Sequence, residues 1–204
     1  ASDGSERNRK NLRKAKKLLT QAGWTIQDGV LKDIHGNSFK MEVLLKSGSG
    51  SNEAIINIFG DALKRLGIAL QVSLVDSAQY TERTNKYDFD LTYYRRALSL
   101  SPGNEQNLYW GSEGVTKPGT RNYMGINNPV IEVLIDKMVG AKDQTDFISS
   151  VKALDRVLTS GRYVIPLWHS DVSRIAHKSE LHFPKTLPMY GDWTGFIPDV
   201  WWAE

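Results

Sequence analysis

The chain has no cysteine among its 204 residues, so disulfide bonds, thiolate catalysis and zinc–thiolate sites are excluded together. Long hydrophobic runs are also missing, since no stretch approaches the roughly 20 apolar residues that a bilayer-spanning helix needs. The chain opens on Ala1 in a polar stretch, with neither an initiating methionine nor an apolar signal segment. We therefore expect a processed or excised piece of a longer protein.

Sequence motifs of catalysis and of nucleotide binding are absent as well. The four histidines form no H-E-x-x-H pair, and none has metal-ligand spacing with a neighbouring carboxylate. His169, Ser170 and Asp171 are adjacent, but adjacency in sequence is not triad geometry, and there is no G-x-S-x-G segment. The loop SGSGSN at 47–52 lacks both the G-K-[ST] and the G-x-G-x-x-G spacing of phosphate-binding loops. We predict that the chain is not an enzyme and has no metal or cofactor.

Positive charge is concentrated near the start of the chain. The sequence has 26 Lys and Arg against 23 Asp and Glu, and 40% of its residues are hydrophobic, as in ordinary globular proteins. The excess of positive charge lies at Arg7, Arg9, Lys10, Arg13, Lys14, Lys16 and Lys17. A solvated helix face explains this run. The alternative is a basic strip over residues 7–17 that binds nucleic acid or a membrane surface.

Hydrophobic periodicity predicts a chain of alternating helices and strands. The predicted helices cover residues 8–22, 53–66, 76–86, 129–140 and 144–159. The predicted strands are a hairpin over 24–32 that turns at Asp28-Gly29, followed by 39–46, 68–75, 88–97, 163–168 and 172–176. We expect an α/β fold in which a mixed sheet, formed by 39–46, 68–75, 88–97 and 163–176, is flanked by helices.

The most unusual segment is Tyr93-Tyr94-Arg95-Arg96, which runs from a predicted strand into a polar, aromatic loop over 98–128. Such a long connection is typically functional or disordered, and its aromatic residues argue against disorder. Arginine binds carboxylates through paired hydrogen bonds, and aromatic rings provide rigid apolar area, so the segment suits the wall of a ligand cleft. A core tyrosine pair with surface arginines is the equally weighted alternative.

The order of several short motifs resembles a known family. These are LLTQAGW, MEVLL, RLGI, VSLVD, YDFDL, SPGNEQNLYWGS, NYMGINNPVIEVLID, ALDRVL, IPLWH and DVWW, and the match runs over nearly the whole chain, from about residue 11 to 202. Each motif is weak alone, but the ordered set is similar to the later half of family 5 extracellular solute-binding proteins. These are the oligopeptide- and dipeptide-binding components of ABC importers, and the later motifs resemble the YejA-like subgroup, which is associated with peptide and microcin C uptake.

The resemblance implies a two-lobed periplasmic protein that closes around an extended peptide, with this chain as its second, C-terminal lobe. In the peptide-binding relatives, an aspartate after the YDFDL-like strand pairs with the α-amino group of the ligand. Residues 95–102 contain no Asp or Glu, so recognition of a free amino terminus is not expected from this segment. Glu105 is the alternative acidic group, whereas Arg95 and Arg96 suit acidic groups of the ligand.

We predict a class II-like ligand-binding lobe over residues 1–176 and an extended tail over 177–204 that returns to the first lobe. The predicted cleft residues are Tyr94, Arg95, Arg96, Ser99, Asn104, Glu105, Asn107 and Trp168. The expected partners are a peptide or peptide-like ligand, the first lobe and an ABC permease in the inner membrane; we expect a monomer that binds no nucleic acid. Two alternatives stay open: a basic module acting through residues 7–17, and a small Ser/His hydrolase.

Overall fold

The computed structural model describes residues 8–96, 101–170, 172–193 and 195–204, which divide between two compact units, Ala1–Tyr163 and Val164–Glu204. The first unit contains α1 Arg9–Gln21, β1 Thr25–Gln27, β2 Val30–Lys32, β3 Lys40–Lys46, α2 Gly50–Lys64, β4 Ala69–Val75, α3 Ser77–Asn85, β5 Leu91–Thr92, α4 Glu105–Trp110, α5 Glu113–Thr116, α6 Pro129–Val139 and α7 Gln144–Gly161. The second unit contains β6 Leu181–His182, α8 Ile197–Val200 and β7 Trp202–Ala203.

The first helix and the following hairpin form where the sequence predicts them. Leu12, Ala15 and Leu19 lie on one side of α1 and pack against a small core that contains Leu31 and Ile68. Strands β1 and β2 pair antiparallel, and their turn has positive φ angles of 50° at Asp28 and 79° at Gly29. An Asp-Gly pair tolerates these angles, so the predicted hairpin is confirmed.

A parallel three-stranded sheet with the order β4-β3-β5 forms the centre of the first unit. The middle strand, β3, buries the consecutive residues Val43, Leu44 and Leu45, which indicates cover on both faces. Helix α2 connects β3 to β4, so these three elements form a βαβ unit. The α/β fold class is confirmed, although the main sheet is parallel and the antiparallel pairs are the short β1–β2 and β6–β7 ribbons.

Strand β5 is much shorter than the predicted strand over 88–97. Side chains make bonds where a longer ladder would continue: the Glu42 N–H donates to Asp90 Oδ2 at 2.8 Å, and the Thr92 hydroxyl donates to the Leu44 carbonyl at 3.0 Å. Asp88 is also bound, through Arg83 Nε at 2.8 Å. The Asp90 bond thus replaces backbone pairing before the two paired residues, and the Thr92 hydroxyl occupies the Leu44 carbonyl at their end.

Side-chain caps and an apolar seam define the helices after the sheet. Asp76 accepts from the N–H groups of Ala78 and Gln79 at the start of α3, and Asn128 accepts from Val130 N–H at the start of α6. Helices α6 and α7 pack together around the buried residues Ile126, Ile131, Ile135, Met138 and Leu154. The predicted helices over 129–140 and 144–159 are confirmed to within two residues at each end.

The prediction of strands over 163–168 and 172–176 is wrong for the described part of that segment, which forms no strand. Its β-branched residues favour an extended chain, but a strand is stable only when a neighbouring edge pairs with it. No described strand pairs with this segment, and Val164, Ile165 and Leu167 are exposed. The sheet therefore lacks the fourth segment that the sequence analysis assigned to it.

The second unit is held by aromatic packing at its carboxyl end. The rings of Phe183 and Trp201 lie with their centroids 4.4 Å apart, and His177 contacts both edge-on. Trp201 Nε1 donates to the Gly191 carbonyl at 3.0 Å, so the indole has both an apolar and a polar contact. A boundary between lobe and tail at residue 176 stays a prediction.

Candidate functional site

Two elements of the first unit bring part of the predicted cleft wall together. Tyr94, Arg95 and Arg96 follow the end of β5, and Asn104 precedes α4, which carries Glu105 and Asn107. Parallel α/β proteins bind ligands at the carboxyl ends of their strands, and the end of β5 is such a position. Tyr94 is 42% exposed, so it is not the core tyrosine of the alternative interpretation.

Arg96 is the centre of this arrangement. Its guanidinium carbon lies 3.4 Å from the centroid of the Tyr109 ring and 5.4 Å from that of Trp110, which are cation–π distances. Nη2 is 3.5 Å from Gln106 Oε1, whereas the buried Nε has no hydrogen-bond partner among the described residues. Burial lowers the pKa of Arg96, but a guanidinium stays charged. Arg96 is thus a fixed positive charge, and the interpretation as a surface arginine does not hold for it.

A second arginine extends the cluster. Arg121 Nη1 donates to the Tyr109 hydroxyl at 3.0 Å, and this bond lowers the pKa of Tyr109. Tyr94 stacks edge-on against Tyr123 with centroids 5.4 Å apart, and burial raises the pKa of Tyr94. The sequence analysis missed Arg121, although its position two residues before Tyr123, in a polar and aromatic segment, was an available signal. We call Tyr94, Arg96, Tyr109, Trp110, Arg121 and Tyr123 the aromatic–arginine cluster.

Glu105 has a local structural role at the start of α4. Its Oε1 accepts from the Gly103 N–H at 2.9 Å and from the Gln106 amide at 3.0 Å. Partial burial opposes ionisation, but these hydrogen bonds outweigh it and lower the pKa of Glu105. Asn104 and Asn107 are exposed, and Asn104 makes no side-chain cap bond. The Glu105 carboxylate is therefore ionised, and one of its oxygens already accepts two hydrogen bonds.

The other predicted residues are placed differently. Arg95 is exposed and makes no hydrogen bond or ion pair with a described residue, which leaves its guanidinium available. Ser99 lies outside the described residues. Trp168 is 53% exposed and belongs to the second unit. The structure thus brings Tyr94, Arg96 and Glu105 near one another around α4.

A buried polar scaffold holds the segment that carries the cluster. The Asn122 amide donates to the carbonyls of Gly111 and Ile126 at 2.9 and 2.8 Å, and its oxygen accepts from Ile126 N–H at 2.9 Å. The Tyr87 hydroxyl bonds the carbonyls of Gly114 and Asn122, at 3.0 and 2.7 Å. The sequence analysis missed this scaffold, because nothing in the pattern marks one asparagine among many as buried.

The remaining chemistry of the described residues is limited. No group of three or more His, Asp or Glu among them could hold a metal ion. None of the described helices is long and apolar enough to cross a membrane. In the segment proposed for the hydrolase alternative, the Ser170 hydroxyl donates to the Val172 carbonyl at 2.7 Å, so its proton is directed at the backbone.

The fold of the chain is similar to that of part of the solved periplasmic binding proteins. A mannohexaose-bound periplasmic oligopeptide-binding protein of Thermotoga maritima matches 78% of the chain with a TM-score of 0.69 and 23% identity, and 31% of that structure is covered. The chain belongs to family 5 of the bacterial extracellular solute-binding proteins, whose middle-region model matches residues 1–117. The resemblance seen in the sequence is confirmed.

Two curated relatives match almost the whole chain. An uncharacterized protein of Sinorhizobium fredii, y4wM, is 42% identical over 98% of the chain and 29% of its own length. The probable peptide-binding protein YejA of Agrobacterium fabrum is 38% identical over 97% of the chain and 31% of its own length. The chain therefore spans about a third of the length of these relatives.

Proposed function

We propose that this chain is the second lobe of a periplasmic binding protein that captures peptides or peptide-like solutes for an ABC importer. Family membership and the relative described as a probable peptide-binding protein support the ligand class. In this proposal the two lobes close around the ligand without covalent chemistry, and a permease in the inner membrane receives the closed form. The protein acts as a monomer.

The aromatic–arginine cluster is the observation that carries this proposal. Exposed ring area at Tyr94 offers rigid apolar contact to a ligand, while Arg121 of the cluster and the neighbouring Arg95 present exposed guanidinium groups. Arg96 adds a charge that is held over the Tyr109 ring and close to Trp110. Preorganised aromatic and arginine side chains are the usual anchors of tight interfaces, because little side-chain entropy is lost when they bind.

The charges of the cluster favour ligands with acidic groups. Residues 95–102 carry no carboxylate, and the Glu105 carboxylate already accepts two hydrogen bonds from neighbours of α4. A free α-amino group would find few acceptors at this wall, whereas a ligand carboxylate would find Arg95 and Arg121. We therefore propose that the wall binds an acidic side chain or the carboxyl terminus of the peptide.

Peptide capture tests this proposal on the intact, two-lobed protein that contains the chain. The protein is incubated with a proteolytic digest of casein, and the retained peptides are identified by mass spectrometry. We expect retained peptides to be enriched in Asp and Glu, because the wall offers guanidinium groups and no free carboxylate. Failure to retain any peptide would contradict the ligand class.

A pair of arginine variants then tests the site. Arg95→Ala removes an exposed guanidinium of the wall, and its matched control, Arg156→Ala, removes an exposed guanidinium of α7. Loss of one charge-assisted contact lowers the affinity for a retained acidic peptide about tenfold, as measured by calorimetry. The control affinity stays within about twofold. Equal affinities of the two variants would refute the site while leaving peptide binding intact.

A further inference from the structure

Helix α1 presents an unusually basic surface that the proposed ligand site does not use. Six of its thirteen residues are Arg or Lys, all of them exposed: Arg9, Lys10, Arg13, Lys14, Lys16 and Lys17. The helix contains no acidic residue, and none of the six forms an ion pair within the described part of the chain. These charges are therefore not neutralised by the described residues of the chain itself.

Helical geometry places all six charges on one side. At about 100° per residue they fall within an arc of roughly 160°, and the thirteen residues extend about 20 Å. The opposite side carries Leu12, Ala15 and Leu19, which pack against the core around Leu31 and Ile68. Because this packing fixes the rotation of α1, the basic arc faces outward as a rigid strip.

The concentration of charge is specific to this end of the chain. The first 22 residues contain seven of the 26 basic and two of the 23 acidic residues, a net charge of +5. The remaining 182 residues therefore carry a net charge of −2. Charges scattered over the surface are sufficient for solubility, so solubility does not explain this separation of positive from negative charge along the chain.

The arrangement is also unfavourable for the helix itself. Arg9 and Lys10 lie in the first turn, where the helix dipole disfavours positive charge, and no acidic residue there offsets them. Lys10 and Lys14 form one of several like-charge pairs at four-residue spacing, which destabilise a helix. A feature that opposes local stability without a described intramolecular compensation is characteristic of a functional surface.

We propose that the basic arc of α1 is a docking surface for an anionic phospholipid bilayer. Four of its six charges are lysines and no aromatic residue accompanies them, whereas protein interfaces are poor in lysine and rich in aromatics. A helix packed against its own core can also enter the major groove of DNA, so duplex DNA is included as a competing partner in the test. Diffuse attraction to headgroups needs only several cations within a Debye length. Such docking would hold the protein close to the membrane.

Vesicle co-sedimentation of the 204-residue chain tests the docking surface. The probes are phosphatidylcholine vesicles with and without about 30% phosphatidylglycerol, at low and at physiological ionic strength. We expect binding only to the anionic vesicles, and weaker binding as salt rises. The triple variant Lys10→Gln, Lys14→Gln and Lys17→Gln should lower the partition coefficient by between about tenfold and a hundredfold. Its matched control, Lys142→Gln, Lys152→Gln and Arg156→Gln, removes the same charge from exposed positions around α7 and should change it less than about threefold.

Three further measurements separate loss of the docking surface from loss of folding and from other partners: the melting temperature, DNA binding and vesicle binding by the intact protein. Glutamine is a good helix former, so the α1 variant should melt at the same or a higher temperature than the wild type. A lower melting temperature together with lost binding would overturn the proposal. Equal losses in the two triple variants would overturn it as well, because binding would then follow net charge alone.

Binding of duplex DNA but not of anionic vesicles would assign the arc to nucleic acid instead. If vesicle binding disappears in the intact two-lobed protein, the other lobe covers the arc, and the docking proposal is overturned. The vesicle results do not depend on whether the protein binds peptides, so they test the docking surface separately from the proposed function.

Discussion

Two neighbouring regions of the first unit are stabilised in different ways. The sheet region, residues 25–92, buries apolar side chains such as Leu44, which is 0% exposed in the middle strand. The loop region, residues 101–128, places a polar side chain at its centre, since Asn122 is 1% exposed and all three hydrogen bonds of its amide go to the backbone. One region is held mainly by apolar burial and the other mainly by directional polar bonds.

The difference explains why the aromatic–arginine cluster lies where it does. Apolar burial is non-directional, so a sheet core cannot easily fix a guanidinium over an aromatic ring. Polar bonds from Asn122 and Tyr87 fix the loop region instead, which carries Tyr109 and Trp110 on α4 and Arg121 after α5. The sheet region thus supplies stability and the loop region supplies the candidate site.

The strongest test of the sheet region is Leu44→Ala. Removing a fully buried leucine leaves a cavity in a strand covered on both faces, and we expect a loss of about 4 kcal/mol in the free energy of unfolding. Urea denaturation followed by circular dichroism measures it. Leu74→Ala is the matched control, because Leu74 lies on β4 but is 47% exposed, and it should lose less than about 1 kcal/mol. Similar losses in both variants would show that the sheet region is not held by burial of β3.

The corresponding test of the loop region is Asn122→Ala. It leaves two buried carbonyls and one buried N–H without their partner, and we expect a loss of about 2–3 kcal/mol. Hydrogen exchange of the Ile126 amide should accelerate, because that N–H loses its acceptor. The control is Asn127→Ala at the exposed position nearby, with an expected change within about 0.5 kcal/mol. If Asn122→Ala behaved like Asn127→Ala, the contrast between the regions would fail.

The same contrast decides what could be predicted from the sequence. In the sheet region the apolar residues of the sequence recur with the period of each element, so β3, α2 and β4 follow from spacing. Local chemistry is enough for the Asp28-Gly29 turn and the Asn128 cap. Helices α4 and α5 of the loop region are too short to show a period, and contacts 27 and 35 residues away, from Tyr87, hold their surroundings.

The candidate site shows the same division. The strand pattern places Tyr94 and Arg96 at the end of β5, but it could not separate a cleft wall from a surface arginine pair. The structure separates them, because Arg96 lies over the Tyr109 ring while Arg95 is exposed. The segment around Tyr123 could have indicated Arg121 as a candidate, but its contact with Tyr109 depends on the fold of the segment between them.

The smallest expected effect concerns the polar turn at Asp33 in the sheet region. It tests whether the exposure of a side-chain hydrogen bond, rather than its polarity, sets its contribution to the stability of the folded state. Asp33 accepts from the Asn37 side chain at 2.9 Å and from the N–H groups of Asn37 and His35 at 2.8 and 2.9 Å. The hydrogen bond from the Asn37 side chain is the largest cause of the lowered pKa of Asp33.

Because the folded pKa lies below the unfolded one, the ionised carboxylate stabilises the folded state above a pH of about 4, and this contribution is lost as pH falls through the folded pKa. Thermal melts of Asp33→Asn should therefore lie slightly below those of the wild type near pH 6 and converge with them near pH 3. The control is Asp155→Asn, because the Asp155 side chain is exposed and accepts no hydrogen bond from a described residue. A difference that grew on acidification would contradict the sign of this coupling. An effect near pH 6 as large as that of Asn122→Ala would mean that polar bonds stabilise both regions equally, whatever their exposure.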